Sequence, residues 1–223
     1  MTTGHSQYVL NEHIQELLTK VFLSGAVLDL FFWAFNEREK WRLTLPGQRQ
    51  RSYFFTTQFK LSMIKNDLHY CYDAASIFTR GIDIFSYDQL FFPCHVPLHW
   101  ICVVVYPKKK IIKCYDSLIG TRRFEACLLM FVWFLADEHN AKKKSVLPGK
   151  WKLEFADTAT SPSQGNGYDC GVFVCMVADC LLLGLHLDCN QTYADTHRTL
   201  MAYRAVNKRI DNALITHKII RGH

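Results

Sequence analysis

Apolar residues recur at helical spacing in several separate stretches of the chain. Between residues 8 and 21 they stand at positions 10, 14, 17, 18 and 21, which predicts an amphipathic helix. A second helix is predicted over residues 25–36, where Ser24 is a suitable N-cap and five apolar residues form a wide buried face. Further helices are predicted over residues 70–80, 123–137 and 192–210.

Between these helices, β-branched and aromatic runs of strand length predict a sheet. Residues 82–85, 90–92 and 151–155 read as short strands, and residues 99–106 and 111–117 read as a hairpin closed by the loop 107–110. Helices that alternate with such strands predict an α+β fold, in which helices surround a mainly antiparallel central sheet.

The hairpin brings two titratable side chains together. If residues 107–110 form the loop, Tyr106 faces Ile111, and counting outward places His99 opposite Leu118. His99 and Asp116 then share one face as diagonal neighbours, within reach of an imidazole–carboxylate hydrogen bond. A slip of one residue would separate them. This register predicts that Asp116 orients His99 as a general base.

A candidate nucleophile follows a glycine-rich loop. Residues 164–176 read QGNGYDCGVFVCM, which predicts a buried helix that begins near Cys170 with Asp169 at its N-cap. A Cys in an apolar run is most often an inert core residue, but a thiol in a first helical turn favours the thiolate. The backbone N–H of Cys170 and the amide of Gln164 can stabilise an oxyanion there. Asp169 is also a candidate triad acid, although its position favours capping.

The sequence gives weaker evidence for two other kinds of site, a second catalytic imidazole and a metal site. His95 is a second imidazole near His99, but no register gives it a carboxylate, so we predict a structural or surface role. No metal site is predicted, because Cys94 and His95 lack further ligands at usable spacing.

Composition adds limits to the location and partners of the protein. Nine Cys without a secretory segment predict reduced thiols in the cytosol or nucleus. No apolar stretch reaches the roughly 20 residues of a membrane span. The formal charge of +6 is scattered except at residues 108–110 and 142–144, which read as solvated turns, so no nucleic-acid partner is required.

Three motifs in this order resemble the SUMO-specific (sentrin-specific) cysteine proteases, which process ubiquitin-like proteins. They are PCHVPLHW at residues 93–100, YDS at 115–117 and QGNGYDCG at 164–171. The resemblance implies His99 as general base, Asp116 as orienting acid, Cys170 as nucleophile and Gln164 as oxyanion donor. It also implies that Trp100 helps to form a narrow tunnel for the Gly-Gly tail of the modifier.

The chain departs from this family at one motif. The family usually has Trp-Leu-Asn-Asp where residues 22–25 read Phe-Leu-Ser-Gly. By position, Phe22 is the second aromatic of the tunnel, and it can still cover a Gly-Gly tail. Gly25 replaces an acidic residue that faces the modifier, and it cannot pair with a basic side chain.

The resemblance implies a papain-like fold and a single catalytic domain over residues 1–223, with an N-terminal helix or extension at 1–20 and the family-like region at 21–223. It implies hydrolysis of the bond after a C-terminal Gly-Gly, in precursors or in isopeptide conjugates. The implied partners are SUMO or another ubiquitin-like modifier and its conjugates. We expect an intracellular monomer of the nucleus or cytoplasm, without cofactor, metal or membrane attachment.

Two alternatives remain open from the sequence. Related bacterial effectors use the same His, acid and Cys set to transfer acetyl groups from acetyl-CoA. A module that binds a modifier without cleaving it is the other alternative, and the intact triad makes it the weaker one.

Overall fold

The structure is a computed structural model that describes residues 11–65, 69–118, 124–157, 161–187 and 190–207. Within these ranges the helices are α1 Asn11–Leu18, α2 Gly25–Arg42, α3 Gln58–Ser62, α4 Tyr72–Ser76, α5 Glu125–Lys143, α6 Cys170–Leu183 and α7 Gln191–Asn207. The strands are β1 Ser52–Phe54, β2 Gln89–Val96, β3 His99–Tyr106, β4 Ile111–Tyr115 and β5 Lys152–Phe155.

The five strands form one sheet in the order β1-β2-β3-β4-β5. The three central strands pair antiparallel as consecutive hairpins, and each edge strand joins in parallel. Parallel pairing requires a crossover, and helices lie in the connections that join β1 to β2 and β4 to β5. The predicted α+β class is therefore confirmed, with antiparallel pairing in the centre of the sheet and parallel pairing at its edges.

Helices cover both faces of the sheet. One core cluster joins α2, α6 and α7 to one face, and the other joins α3, α4 and α5 to the opposite face. Residues 99–105 of β3 are all buried, with Trp100, Cys102 and Val104 in the first cluster and Ile101, Val103 and Val105 in the second. A strand that is apolar on both faces belongs in the middle of a layered fold.

Several predicted elements change length or type. The helix predicted over 25–36 continues as α2 to Arg42, because buried Glu39 accepts hydrogen bonds from the backbone N–H groups of Arg51 and Ser52 at 3.1 Å each. The strand predicted over 82–85 is wrong. Residues Ile84–Ser86 form a 3₁₀ turn, which the carboxylate of Asp83 caps through the N–H of Phe85.

The remaining helices agree in place but not in extent. The helix predicted over 70–80 splits into α4 and a 3₁₀ turn, Ile77–Thr79. The helix predicted over 123–137 runs further, as α5, to Lys143. Of the predicted terminal helices, α1 and α7 account for the described parts, while residues 8–10, 123 and 208–210 lie outside the described residues.

Candidate active site

The predicted hairpin register is confirmed. Tyr106 pairs with Ile111 and Cys102 with Tyr115, so His99 at the start of β3 lies near Asp116, just past the end of β4. The Nε2 atom of His99 lies 2.7 Å from Oδ1 of Asp116, which fits an Nε2–H donor and a carboxylate acceptor.

The carboxylate of Asp116 is itself held in place. Its Oδ1 atom also accepts the backbone N–H of Leu118 at 2.9 Å, within the turn that follows β4. The orientation of the His99 ring is therefore fixed by a carboxylate whose own position is fixed by the backbone.

The surroundings of His99 favour its protonated form. Burial lowers its pKa, but hydrogen bonds to Asp116 and Cys170, together with their charges, outweigh burial and raise the pKa to about 9. Since Nε2 is committed to Asp116, Nδ1 is the ring nitrogen available to Cys170. An imidazole in this position can take the thiol proton and hold it as an ion pair with the thiolate.

Cys170 is the first residue of α6, as predicted, and only 1% of it is exposed. The next residue, Gly171, lets the helix approach α2 closely. A Cβ atom at Gly171 would lie 3.0 Å from Cβ of Leu23 and 3.1 Å from Cδ1 of Leu28. Cys170 is therefore seated against the segment that leads into α2.

The prediction that the Asp169 side chain caps α6 is wrong. Asp169 occupies the N-cap position, but its carboxylate makes no capping hydrogen bond. Instead it accepts from Arg198 at 2.6 Å, Asn166 at 2.6 Å and Gln191 at 2.7 Å. Burial raises the pKa of Asp169, and these three hydrogen bonds outweigh it and lower the pKa. The carboxylate turns away from the helix because a buried guanidinium lies on its other side.

Gln164 is fixed between the loop and the sheet. Its Oε1 accepts the Ser117 hydroxyl at 2.5 Å, its backbone N–H donates to the Ser117 carbonyl at 2.9 Å, and its Nε2 donates to the Asn166 carbonyl at 2.5 Å. A side-chain amide carries two N–H groups, so a second donor remains for an oxyanion.

The two predicted tunnel aromatics lie together. The rings of Phe22 and Trp100 stack with centroids 6.2 Å apart, and Nε1 of Trp100 donates to the Leu23 carbonyl at 2.9 Å. His95 packs edge-on against Trp100 at 4.8 Å. Burial, then the charges of Lys60 and His99, lower the pKa of His95, which favours the neutral form of its ring. Such packing is what the predicted structural role of His95 requires.

Gly25 begins α2 in contact with Thr57. A Cβ atom at Gly25 would lie 3.1 Å from Oγ1 of Thr57, whose backbone N–H and hydroxyl both bind the carboxylate of Asp29, at 2.6 and 3.0 Å. The nearby acid on this helix is thus engaged inside the protein and does not replace the acidic residue that Gly25 lacks.

The sequence did not predict the residues that support Gln164 and Asp169 through hydrogen bonds. Ser117, Gln191 and Arg198 contact Gln164 or Asp169, yet only Ser117 is adjacent to a predicted site residue. One local signal was present at Asn166, whose side chain accepts the backbone N–H groups of Tyr168 and Asp169. An Asn before Gly commonly forms such a turn.

Two further structural features bear on the site's chemistry and surroundings. Within the described ranges, no three His, Cys, Asp or Glu side chains gather as metal ligands, and the eight Cys are free thiols. None of the described helices is long and apolar enough to cross a membrane.

A thiol at a helix N-terminus, an imidazole bonded to it and a carboxylate on the other ring nitrogen are the groups that cysteine-peptidase triads use. Residues 31–211 match the family model described as the Ulp1 protease family, C-terminal catalytic domain. This chain belongs to that family.

Curated relatives and solved structures agree with this assignment. The chain is 26% identical to the ubiquitin-like-specific protease ESD4 of Arabidopsis thaliana over 91% of its own length and 41% of the relative. It is 29% identical to human sentrin-specific protease 2 over 74% of its own length and 26% of the relative. The chain thus spans less than half of either protein.

The fold is that of solved Ulp1 structures. The C-terminal Ulp1 protease domain in complex with Smt3, the yeast ortholog of SUMO, has a TM-score of 0.70 at 21% identity, with 88% of this chain and 81% of that chain covered. A SUMO protease Ulp1 whose catalytic cysteine is oxidised to a sulfinic acid has a TM-score of 0.73 at 20% identity, with 92% and 86% covered.

Proposed function

We propose that this chain is a cysteine peptidase that hydrolyses the bond after the C-terminal Gly-Gly of SUMO or a related ubiquitin-like modifier. The observation that carries the proposal is the contact of His99 with both Cys170 and Asp116, 2.7 Å from the Asp116 carboxylate. The bond is a peptide bond in a modifier precursor or an isopeptide bond to a substrate lysine.

The reaction follows from the roles of the three side chains. His99 takes the proton of Cys170, and the thiolate attacks the carbonyl carbon of the terminal glycine. The backbone N–H of Cys170 and the side-chain amide of Gln164 stabilise the oxyanion. His99 then gives the proton to the leaving amine, and the resulting thioester is hydrolysed by a water whose proton His99 accepts.

Selectivity for glycine has a steric origin in this proposal. Phe22 and Trp100 form an aromatic surface next to Leu23, which itself lies against the residue after the nucleophile. Two glycines present only backbone, so they can lie against flat rings where a side chain would collide.

The substrate class and location draw on the relatives. The sentrin-specific and ubiquitin-like-specific proteases among them, and the Ulp1 domain bound to Smt3, support SUMO as the first modifier to test. Our proposal includes a reducing intracellular location, nucleus or cytoplasm, which the free thiols of the described Cys residues support.

Labelling with electrophile-tipped modifiers tests the proposal. SUMO, ubiquitin and other ubiquitin-like proteins that end in a Gly-Gly electrophile are offered to the native chain, to Cys170→Ala and to the control Cys175→Ala. Cys175 is buried on the same helix, where burial raises the pKa of its thiol. We expect SUMO to label the native chain and the control but not Cys170→Ala, and we expect Cys170→Ser to lose turnover.

Other outcomes have distinct meanings. Labelling by a different modifier alone would keep the mechanism and reassign the substrate. Phe22 and Gly25 would then be the first residues to replace by the Trp and Asp that the family usually has there. Failure of every probe would refute the proposed reaction, and acetyl-CoA-dependent labelling of a target lysine would then replace it with acetyl transfer.

A further inference from the structure

One of the buried arginines of α7, Arg198, binds both the segment that leads to Cys170 and the segment that leads to Phe22. Arg198 is 2% exposed. Its Nε donates to Oδ1 of Asp169 at 2.6 Å, and its Nη2 donates to the carbonyls of Val21 at 2.7 Å and Tyr168 at 3.2 Å. Its Nη1 donates to the carbonyl of Glu16 at 2.9 Å.

The residues that Arg198 binds stand immediately before functional positions. Asp169 and Tyr168 precede Cys170, and Val21 precedes Phe22. We propose that Arg198 is a positioning residue that fixes the nucleophile loop relative to the aromatic surface without contacting the substrate. This inference rests on the proposed Gly-Gly hydrolysis.

The hydrogen bonds continue from Arg198 to the oxyanion donor. Asp169 binds the side chain of Asn166 at 2.6 Å, and the carbonyl of Asn166 accepts Nε2 of Gln164 at 2.5 Å. Arg198 is therefore linked by a chain of hydrogen bonds to Gln164, although it touches neither Gln164 nor Cys170 in the described contacts.

Only an arginine provides this set of contacts. Its planar fork has five N–H donors, whereas lysine has one flexible ammonium group that cannot reach several acceptors in a fixed plane. In Arg198→Lys the positive charge stays beside Asp169, so the buried carboxylate keeps a counter-ion while the bonds to the carbonyls of Val21 and Glu16 are lost. This substitution therefore tests the positioning role of Arg198 while the positive charge beside Asp169 is kept.

The His99–Asp116 pair does not depend on this network. Both residues lie on the central hairpin, and Arg198 contacts neither of them. We therefore expect the thiol of Cys170 to keep its reactivity towards a small alkylating agent, which needs neither the aromatic surface nor the oxyanion donors.

The experiment compares Arg198→Lys with the native chain and with Arg204→Lys. Arg204 is also buried on α7 but binds Asp179, nine residues beyond Cys170 on α6. We expect Arg198→Lys to lower kcat/KM for a Gly-Gly substrate by about tenfold or more, because small displacements of reacting groups are costly. The kcat/KM of Arg204→Lys should stay within about twofold of native, since distant sites act independently. The rate at which iodoacetamide alkylates Cys170 should also stay within about twofold of native in both lysine variants.

Three results would overturn the inference: native kcat/KM in Arg198→Lys, equal losses in both lysine variants, or a parallel fall in alkylation. If Arg198→Lys does not fold, Arg198→Met combined with Asp169→Asn removes both charges together, which the interior tolerates better. Full kcat/KM in that double variant would also overturn it. Failure of the native chain to react with any Gly-Gly probe would refute the proposed function, and the inference with it, before any variant is compared.

Discussion

Asp116→Asn removes the charge that favours protonated His99 while it keeps a side chain of the same size. The pKa of His99 is about 9 against an ordinary value of 6.5. One pKa unit corresponds to about 1.4 kcal/mol, so Asp116 and Cys170 together favour the imidazolium by about 3 kcal/mol after the opposing effect of burial. Part of that free energy should disappear with the carboxylate.

The titration of His99 by NMR measures this directly. In a Cys170→Ala background the thiolate is absent, so only burial and Asp116 act on His99. We expect Asp116→Asn to take the pKa of His99 below 6.5, its ordinary value, because burial alone lowers it. His99 in this variant should bind its proton at least about tenfold more weakly than in the Cys170→Ala parent, because an opposite charge in contact with it has been removed.

His197 provides an internal control for that titration. It is buried next to Asp179, and burial lowers its pKa to about 4. Because Asp179 and not Asp116 faces it, the titration of His197 should be the same in both variants. Equal His99 midpoints with and without Asp116 would refute the reasoning. In the native background, Asp116→Asn should also reduce kcat/KM roughly a hundredfold or more.

The same pair gives stability a definite dependence on pH. The folded pKa of His99, about 9, exceeds the ordinary value of 6.5, so the stabilisation that Asp116 and Cys170 give to protonated His99 is fully present below pH 6.5 and is lost as pH rises through 9. In denaturant unfolding, Asp116→Asn should therefore lower the free energy of unfolding more below pH 6.5 than above pH 9. A cost independent of pH in this range would contradict the raised pKa.

Two predictions concern the contribution of α6 residues to stability. Gly171→Ala should destabilise the fold by about 1–3 kcal/mol in thermal or denaturant unfolding, because its Cβ would press on Leu23. Gly167→Ala, with open space around it, is the control, and equal costs would contradict the clash. Asp179→Ala should cost about 3–5 kcal/mol, because two largely buried guanidinium groups, Arg38 at 2.6 Å and Arg204 at 3.4 Å, lose this counter-ion. Partial restoration of stability by a second change, Arg38→Met, would support this cause, because Arg204 still lacks the Asp179 carboxylate, and a small cost for Asp179→Ala alone would exclude it.

The parts of the site that the sequence predicts are those governed by local geometry. The loop at residues 107–110 sets the register of a hairpin, and the register alone places His99 beside Asp116. The glycine-rich loop before an apolar run likewise places Cys170 at the start of a helix. Each of these inferences needs only a turn, a strand period or a helix boundary, which are properties of neighbouring residues.

The contacts that the sequence does not predict join distant segments. Asp169 has the residue type and position of an N-cap, and local rules therefore assign it to α6. Its actual partner, Arg198, lies 29 residues away on another helix, and no periodicity of the sequence brings them together. The extension of α2 to Arg42 is missed for the same reason, since buried Glu39 is satisfied by the backbone N–H groups of Arg51 and Ser52, where β1 begins.

The position of Cys170 relative to the aromatic surface of Phe22 and Trp100 depends on one short segment that contacts both the sheet and α6. The carbonyl of Leu23 accepts Nε1–H of Trp100 on β3, and Cβ of Leu23 lies where a side chain on Gly171 would reach. Phe22 precedes this pinned residue, so its ring is carried to a place set jointly by the sheet and by the helix of Cys170. Because Phe22 stacks on Trp100 through its ring, a Trp in its place can keep the stacking, whereas a side chain at Gly171 would shift the whole segment. Changes at position 22 should therefore alter modifier preference while the thiol stays reactive, and changes at position 171 should disturb both.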